Sequence, residues 1–132
     1  LQPLFDGIVP LIDALHGAGW QLAVATGMSR RGLDHCLASH GLTRHFVSLQ
    51  TADDHPSKPD PAMLEAALFE TDVDAAQAVM IGDTVYDMQM ACDAGVRAIG
   101  VDWGYHAPGE LLAAGAEVVA ASPAALKEYL LR

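Results

Sequence analysis

Apolar and polar residues alternate along the chain in a pattern that predicts strands separated by single helices. Short apolar runs predict buried strands, and apolar positions three or four residues apart predict amphipathic helices. The predicted strands cover residues 21–25, 46–49, 79–82, 96–101 and 117–120. The predicted helices cover about residues 8–15, 29–41, 60–70, 84–92 and 109–114 and the segment after residue 122. Ser29, Asp60 and Ser122 are predicted to cap three of them, with Pro61 as the first helical residue after Asp60.

Strands joined by single helices imply right-handed crossovers, and therefore a parallel sheet with helices on both faces. The 132 residues, of which 52% are hydrophobic, suffice for one domain with a substantial core. We therefore predict an α/β fold of three layers, in which a Rossmann-like parallel sheet lies between helices. Residues 1–132 are predicted to form a single core-domain segment.

Charge and composition argue against several classes of partner. The chain has 17 acidic and 7 basic residues, and its formal net charge of −10 disfavours nucleic acid and anionic membranes. No apolar run approaches the ~20 residues of a membrane span, and no secretory signal is visible. Cys36 and Cys92 fall on apolar helical faces, which predicts buried free thiols, with a disulfide as the alternative. We therefore expect a cytoplasmic protein.

Two carboxylates follow the predicted strand 79–82. Asp83 is placed at the carboxyl end of this strand, where ligands bind in open α/β sheets. Magnesium prefers oxygen ligands and keeps several waters, so Asp83 is predicted as a direct metal ligand. Asp87 has a second candidate role, because Thr84 and Asp87 form the pattern of a helix capping box. Asp87 is therefore predicted to cap its helix and to support the metal.

Two further strand ends carry candidate phosphate ligands. Thr26 and Gly27 come between a strand and a helix, where a hydroxyl and backbone amides can hold phosphate. The alternative is a helix-capping turn without a ligand. Lys58 is followed by a proline, which favours an extended backbone, and it is one of only two lysines. It is predicted to point its ammonium at an anion, and the alternative is a solvated loop lysine.

The three segments together resemble motifs two, three and four of the haloacid dehalogenase superfamily, most closely its phosphoglycolate-phosphatase-like branch. They are Val-Ala-Thr-Gly at 24–27, Ser-Lys-Pro-Asp-Pro at 57–61 and Ile-Gly-Asp-Thr-Val-Tyr-Asp-Met at 81–88. The resemblance implies that Thr26, Gly27 and Lys58 bind the substrate phosphate. It makes Lys58 and Asp83 catalytic, and it makes Asp83 and Asp87 the ligands of Mg²⁺. The implied activity is hydrolysis of a small phosphorylated metabolite through an aspartyl-phosphate intermediate.

The same resemblance implies a nucleophilic aspartate that this sequence does not contain. In the superfamily it lies in a D-x-D-x-T motif. The stretch 4–9 resembles such a motif but has Leu4 where the carboxylate should be, and Asp6-Gly7 is interpreted as a helix start instead. In the related fold, that motif belongs to a central strand between the strands that end at Thr26 and Asp83. We therefore predict a sheet without its central first strand. The strand and a cap domain are expected from a longer parent chain, and the 132-residue chain alone is predicted to be inactive.

A second class of function is compatible with the missing motif. The chain would then be a noncatalytic α/β module that binds phosphate or a partner protein, although this leaves Lys58, Asp83 and Asp87 without an evident purpose. A receiver-type phosphoacceptor domain fits less well, because its acidic cluster should lie near the first strand. The six histidines show no spacing that suits zinc. Tyr105 and His106 follow a strand end and are candidates for contact with the substrate or the cap, with packing as the alternative for Trp103 and Tyr105.

Overall fold

The computed structural model describes residues 7–104 and 106–131, so that Leu4 and Tyr105 lie outside the described residues. Helices and strands alternate in the predicted order. The helices are α1 (Ile8–Gly17), α2 (Arg30–Ser39), α3 (Ala62–Thr71), α4 (Val85–Ala94), α5 (Pro108–Ala113) and α6 (Pro123–Leu130). The strands are β1 (Leu22–Ala25), β2 (Phe46–Gln50), β3 (Val79–Gly82), β4 (Arg97–Val101) and β5 (Val118–Ala120).

The strands form two parallel sheets. One contains β1 and β2, and the other contains β3, β4 and β5 in that order. The strands β1 and β3, which lead to Thr26 and Asp83, are not hydrogen-bonded to each other. The predicted parallel α/β architecture is confirmed, and the described part of the sheet is interrupted between these two strands.

Alternating side chains of β4 show the three layers. Ala98 packs in a core cluster with residues of α3, α4 and α5. Ile99 and Val101 point to the opposite face, where they pack against α1 and α6. Since successive side chains of a strand point to opposite faces, helices cover both sides of this sheet.

The helices α1 and α3 connect the two sheets, one on each face. On one face, Leu11 and Leu15 of α1 pack with β4 and β5, whereas Ile12 packs in the cluster that contains residues of β1 and β2. On the other face, Met63 and Leu64 of α3 join the cluster of β3 and α4, and α3 also contacts β1 and β2. The interrupted sheet is therefore held together through its two layers of helices.

Side-chain caps fix where several helices begin. The predicted caps Ser29 and Ser122 accept hydrogen bonds from backbone amides three residues later, at 3.1 and 3.0 Å. Asp60 accepts from Ala62 N–H at 2.9 Å, but the regular helix begins at Ala62, with Pro61 preceding it. The predicted start was therefore one residue early, which is within the usual uncertainty of helix ends.

The two thiols are free, but the predicted burial of Cys92 is wrong. Cys36 is half-buried, and Cys92 is exposed. In α4 the core is filled by Met88, Met90 and Ala91, so that Cys92 lies at the edge of the helix layer. No helix in the described ranges is long and apolar enough to cross a membrane.

Glu117 forms a hydrogen-bonded surface cluster that includes none of the predicted site residues. Arg97 donates two hydrogen bonds of 2.8 Å to its carboxylate, and Tyr129 donates a third. Hydrogen bonds from Arg97 and then Tyr129 lower the pKa of Glu117 from 4.5 to about 2. A carboxyl whose pKa is lower in the folded state stabilises the fold above its unfolded pKa, and this contribution disappears as pH falls.

We predict that Glu117→Gln lowers the free energy of unfolding by at most about 1 kcal/mol at pH 7, because the cluster is partly exposed. The difference from wild type should shrink as pH falls from 4.5 towards 2. Urea unfolding at a series of pH values measures it. Glu128→Gln, which removes another exposed carboxylate, serves as the control. A difference that grows below pH 4.5 would contradict the prediction.

Candidate active site

The predicted site residues follow the carboxyl ends of three parallel strands. Thr26 follows β1, Lys58 ends the loop 51–58 after β2, and Asp83 follows β3. The carboxyl ends of parallel strands meet at one edge of a sheet. The loop 102–107 after β4 joins them at this edge, because Gly104 lies against the side chain of Asp83.

Lys58 and Asp87 form an ion pair. The Nζ atom of Lys58 donates to Oδ1 of Asp87 at 2.6 Å. The side chain of Asp87 is only 5% exposed and that of Lys58 is 21% exposed. A buried carboxylate needs charged or polar partners, so this pair fixes the end of the loop 51–58 against α4. Lys58 is therefore not a freely solvated loop lysine.

The capping box predicted at the start of α4 is present. The Thr84 hydroxyl accepts from Asp87 N–H at 3.2 Å and donates to Asp87 Oδ2 at 3.0 Å. Thr84 N–H also donates to Asp87 Oδ2, at 3.3 Å. Both carboxylate oxygens of Asp87 thus accept from protein donors. This geometry favours a supporting role, and direct contact of Asp87 with a metal stays a prediction.

Asp83 has a different environment. Its side chain is half-buried, and none of the residues described in the structure donates a hydrogen bond to its carboxylate. Gly104 lies so close that a Cβ atom there would overlap the Asp83 carboxyl, and Gly82 lies equally close to Asp87. A half-buried carboxylate that accepts from none of the described residues is a candidate ligand for a hard cation. The described residues contain no group of three or more His, Cys, Asp or Glu side chains that could hold a metal ion. Asp83 therefore offers a single carboxylate, which is compatible with Mg²⁺ because that ion keeps several waters, and metal binding stays a prediction.

Thr26 and Gly27 lie in a turn that leads into α2. The Thr26 hydroxyl oxygen accepts from Met28 N–H at 3.1 Å, which leaves its hydrogen available to a ligand. Gly27 is exposed, and nothing lies within 4 Å of the position that a Cβ atom would take. The structure thus contains a capping turn that is open to a ligand. Within the described ranges, no hydrogen bond joins Thr26 or Gly27 to Lys58 or Asp83.

Asp53 is a residue near this turn that the sequence did not single out. Its Oδ2 atom accepts from Arg30 N–H, the first amide of α2, at 2.9 Å. This helix amide is therefore not available to a phosphate, which restricts the candidate donors to the turn itself. The sequence pattern carries no signal for the contact, because the two residues lie 23 positions apart.

His106 makes a second contact that the sequence did not predict. Val85 N–H, at the start of α4, donates to His106 Nδ1 at 2.8 Å. The His106 ring also lies near Tyr86, with ring centroids 6.0 Å apart. His106 therefore contacts α4 rather than only packing in a loop.

An open cleft separates β1 from β3. A cavity of about 440 Å³ is lined by residues of both strands and of α3. A second cavity, of about 370 Å³, lies towards α1 and extends to Asp83. Ile81 in β3 is 37% exposed, whereas Ile99 in β4, which has a strand on each side, is fully buried. The facing edges of β1 and β3 thus have no hydrogen-bonded neighbour among the described residues.

Comparison with known proteins agrees with this geometry. Residues 2–101 match the family model described as haloacid dehalogenase-like hydrolase. The chain is 40% identical over 118 residues to "Probable phosphatase IndB" of Dickeya dadantii. The aligned region covers 88% of this chain and 51% of that protein. It is 36% identical over 131 residues to a phosphoglycolate phosphatase of Cupriavidus necator. This aligned region covers 98% of this chain and 57% of that protein.

Solved structures show the same architecture. A hydrolase from Pseudomonas syringae superimposes with a TM-score of 0.86 at 28% identity, over 96% of this chain and 58% of that one. The chain therefore spans about half the length of the curated relatives it matches, at 51% and 57%.

We predict that Gly82→Ala destabilises the fold by about 1–3 kcal/mol, because the new methyl group would displace Asp87 from Lys58 and Thr84. Urea unfolding at neutral pH measures the change. Gly109→Ala is the matched control, since nothing lies within 4 Å of its Cβ position. The control should change stability by less than about 1 kcal/mol. An unfolding curve of Gly82→Ala that matches wild type would contradict the packing described.

Proposed function

The chain belongs to the haloacid dehalogenase-like hydrolase family, and on this premise we propose that it forms the phosphate- and metal-binding part of a Mg²⁺-dependent phosphatase. The proposed substrates are small phosphate monoesters. The observation that carries the proposal is the Lys58–Asp87 ion pair, which holds a lysine at the first turn of α4, the turn that follows Asp83 in the chain. The phosphatases among the relatives support the reaction class.

Lys58, Thr26 and Gly27 form the phosphate side of the proposed site. Lys58 supplies a positive charge in a chain whose net charge is −10, so it offsets the repulsion that an anionic substrate meets. Asp87 keeps the ammonium at the strand edge without consuming all three of its donors. The Thr26 hydroxyl and the Gly27 amide provide neutral donors for the phosphoryl oxygens.

Asp83 is the proposed direct ligand on the metal side. Its carboxylate has no competing donor among the described residues, and it borders the cleft at the end of β3. Asp87 supports this side through the capping box that sets the start of α4. When bound, Mg²⁺ would neutralise charge on the transferring phosphoryl group.

The nucleophile is proposed to come from a strand that fills the cleft between β1 and β3. Among the described residues, the facing edges of these strands pair with no other strand, and such edges pair readily with an extended segment. A carboxylate on that strand, at the level of Thr26 and Asp83, would attack phosphorus and form the aspartyl-phosphate. We propose that this strand and a cap domain belong to a longer parent chain. A strand in the cleft would also bury Ile81, which is now 37% exposed.

We predict that Asp83→Asn in the longer parent protein lowers phosphatase activity about 10²-fold or more, since the charged ligand of the proposed Mg²⁺ is lost, and with it stabilisation of the transition state. Initial rates on small phosphate esters, with and without Mg²⁺, measure the effect. Asp93→Asn is the control, because Asp93 is an exposed carboxylate on α4. If Asp83→Asn hydrolyses esters at the wild-type rate, Asp83 is not a catalytic ligand.

We predict that the 132-residue chain alone shows no turnover of the same esters, because it contains no D-x-D-x-T nucleophile. The assay compares it with the longer parent at equal concentration. A rate similar to that of the parent would contradict the proposed origin of the nucleophile. A folded parent protein without phosphatase activity would instead favour a noncatalytic phosphate- or protein-binding module.

A further inference from the structure

The loop 102–107 is fixed at both ends. Asp102 N–H, at its start, donates to Ala120 O at 3.1 Å. Ala107 N–H, at its end, donates to the Glu110 side chain at 3.0 Å. Between these points the loop passes the carboxyl end of β3 and the start of α4. Trp103 packs against the core cluster of α1, β4 and α6, and Gly104 and His106 contact the end of β3 and the start of α4.

His106 supplies such a contact. The first amides of a helix have no partner within the helix. The capping box serves Thr84 and Asp87, and His106 Nδ1 accepts from Val85 N–H at 2.8 Å. Since Nδ1 accepts here, a neutral ring carries its hydrogen on Nε2. This hydrogen bond joins the loop to the start of α4.

Gly104 couples the position of the loop 102–107 to that of the Asp83 side chain, because the two are in contact. The Asp83 carboxyl lies against Gly104, where there is no room for even a methyl group. Asp83 has no hydrogen bond of its own to the described residues, so this backbone contact limits where its carboxylate can turn. A shift of the loop by less than the size of a methyl group therefore changes the space open to the Asp83 side chain.

We propose that His106 is a positioning residue for Asp83, which it orients by tying the loop 102–107 to the start of α4. The proposal rests on the proposed function in one respect, namely that Asp83 binds Mg²⁺. The mechanical part requires only the Val85–His106 hydrogen bond and the contact of Gly104 with Asp83. The two parts can be measured separately.

Two substitutions of His106 separate the hydrogen bond from the bulk of the ring. His106→Asn can place an acceptor oxygen where Nδ1 now lies, whereas His106→Phe keeps an aromatic ring without an acceptor. The first test uses the metal-free 132-residue chain and NMR. His106→Phe should accelerate hydrogen exchange of the Val85 amide about tenfold or more, if the loss of the bond costs about 1.4 kcal/mol or more. It should also shift the signals of Gly104 and Asp83, and His106→Asn should keep them close to wild type.

The second test is titration of the same chains with Mg²⁺ alone, followed through the Asp83 signals. We expect His106→Phe to weaken binding about tenfold, because residues that orient a metal ligand commonly matter by this factor. His106→Asn should bind within about twofold of wild type. If His106→Phe weakened Mg²⁺ binding only by destabilising the fold, and not by changing the orientation of Asp83, His106→Asn would not restore binding.

The outcomes distinguish the two claims. The positioning role is overturned if His106→Phe remains folded and leaves Gly104 and Asp83 unchanged, or if Asn behaves like Phe. It is also overturned if wild type and His106→Phe bind Mg²⁺ equally well. If NMR confirms the shifts but wild type shows no response to Mg²⁺, the positioning role stands and the metal assignment of the proposed function fails.

Discussion

The buried charge of Asp87 is the interaction on which the candidate site depends. A carboxylate that is only 5% exposed is costly unless donors surround it. Thr84 supplies donors from the same helix, Lys58 supplies a charge from a loop 29 residues away, and Gly82 leaves the space. Three segments of the chain are thus fixed relative to one another by a single carboxylate. The lysine is held at the strand edge before any ligand arrives, which reduces the ordering that substrate binding would require.

The interrupted sheet determines how the candidate site residues lie relative to the cleft. A parallel sheet is normally buried on both faces and paired at its centre. Here both faces are covered, since α1 and α3 each pack against both sheets, but the strands β1 and β3 face an open cleft. The helices therefore keep Thr26 and Asp83 on opposite sides of the cleft. Each lies at the end of a strand that borders the cleft, where the proposed function requires a phosphate ligand and a metal ligand.

Local patterns in the sequence predicted the helices and strands. They did not predict contacts between residues that lie far apart in the chain. Strands follow from apolar runs, and Ser29, Ser122 and Thr84 follow from capping patterns that act within one helical turn. The partner of Lys58 could not be read in this way, because many carboxylates of an acidic chain are compatible with it. The contact of His106 with Val85 spans 21 residues and depends on the path of a loop. Cys92 was misplaced for a related reason: helical spacing shows which residues share a face, but not where the helix layer ends.

Asp83 and Asp87 show how two identical side chains four residues apart acquire different roles. Both lie against a glycine, so both are held closely by backbone. The difference lies in their donors: Asp87 accepts from Lys58 and Thr84, and Asp83 accepts from none of the described residues. A satisfied carboxylate stabilises the structure around it, whereas an unsatisfied one at the edge of a cleft retains its full capacity to bind a cation. Capping chemistry therefore distinguishes the two carboxylates, because the first turn of α4 engages Asp87, whereas Asp83 accepts from none of the described residues.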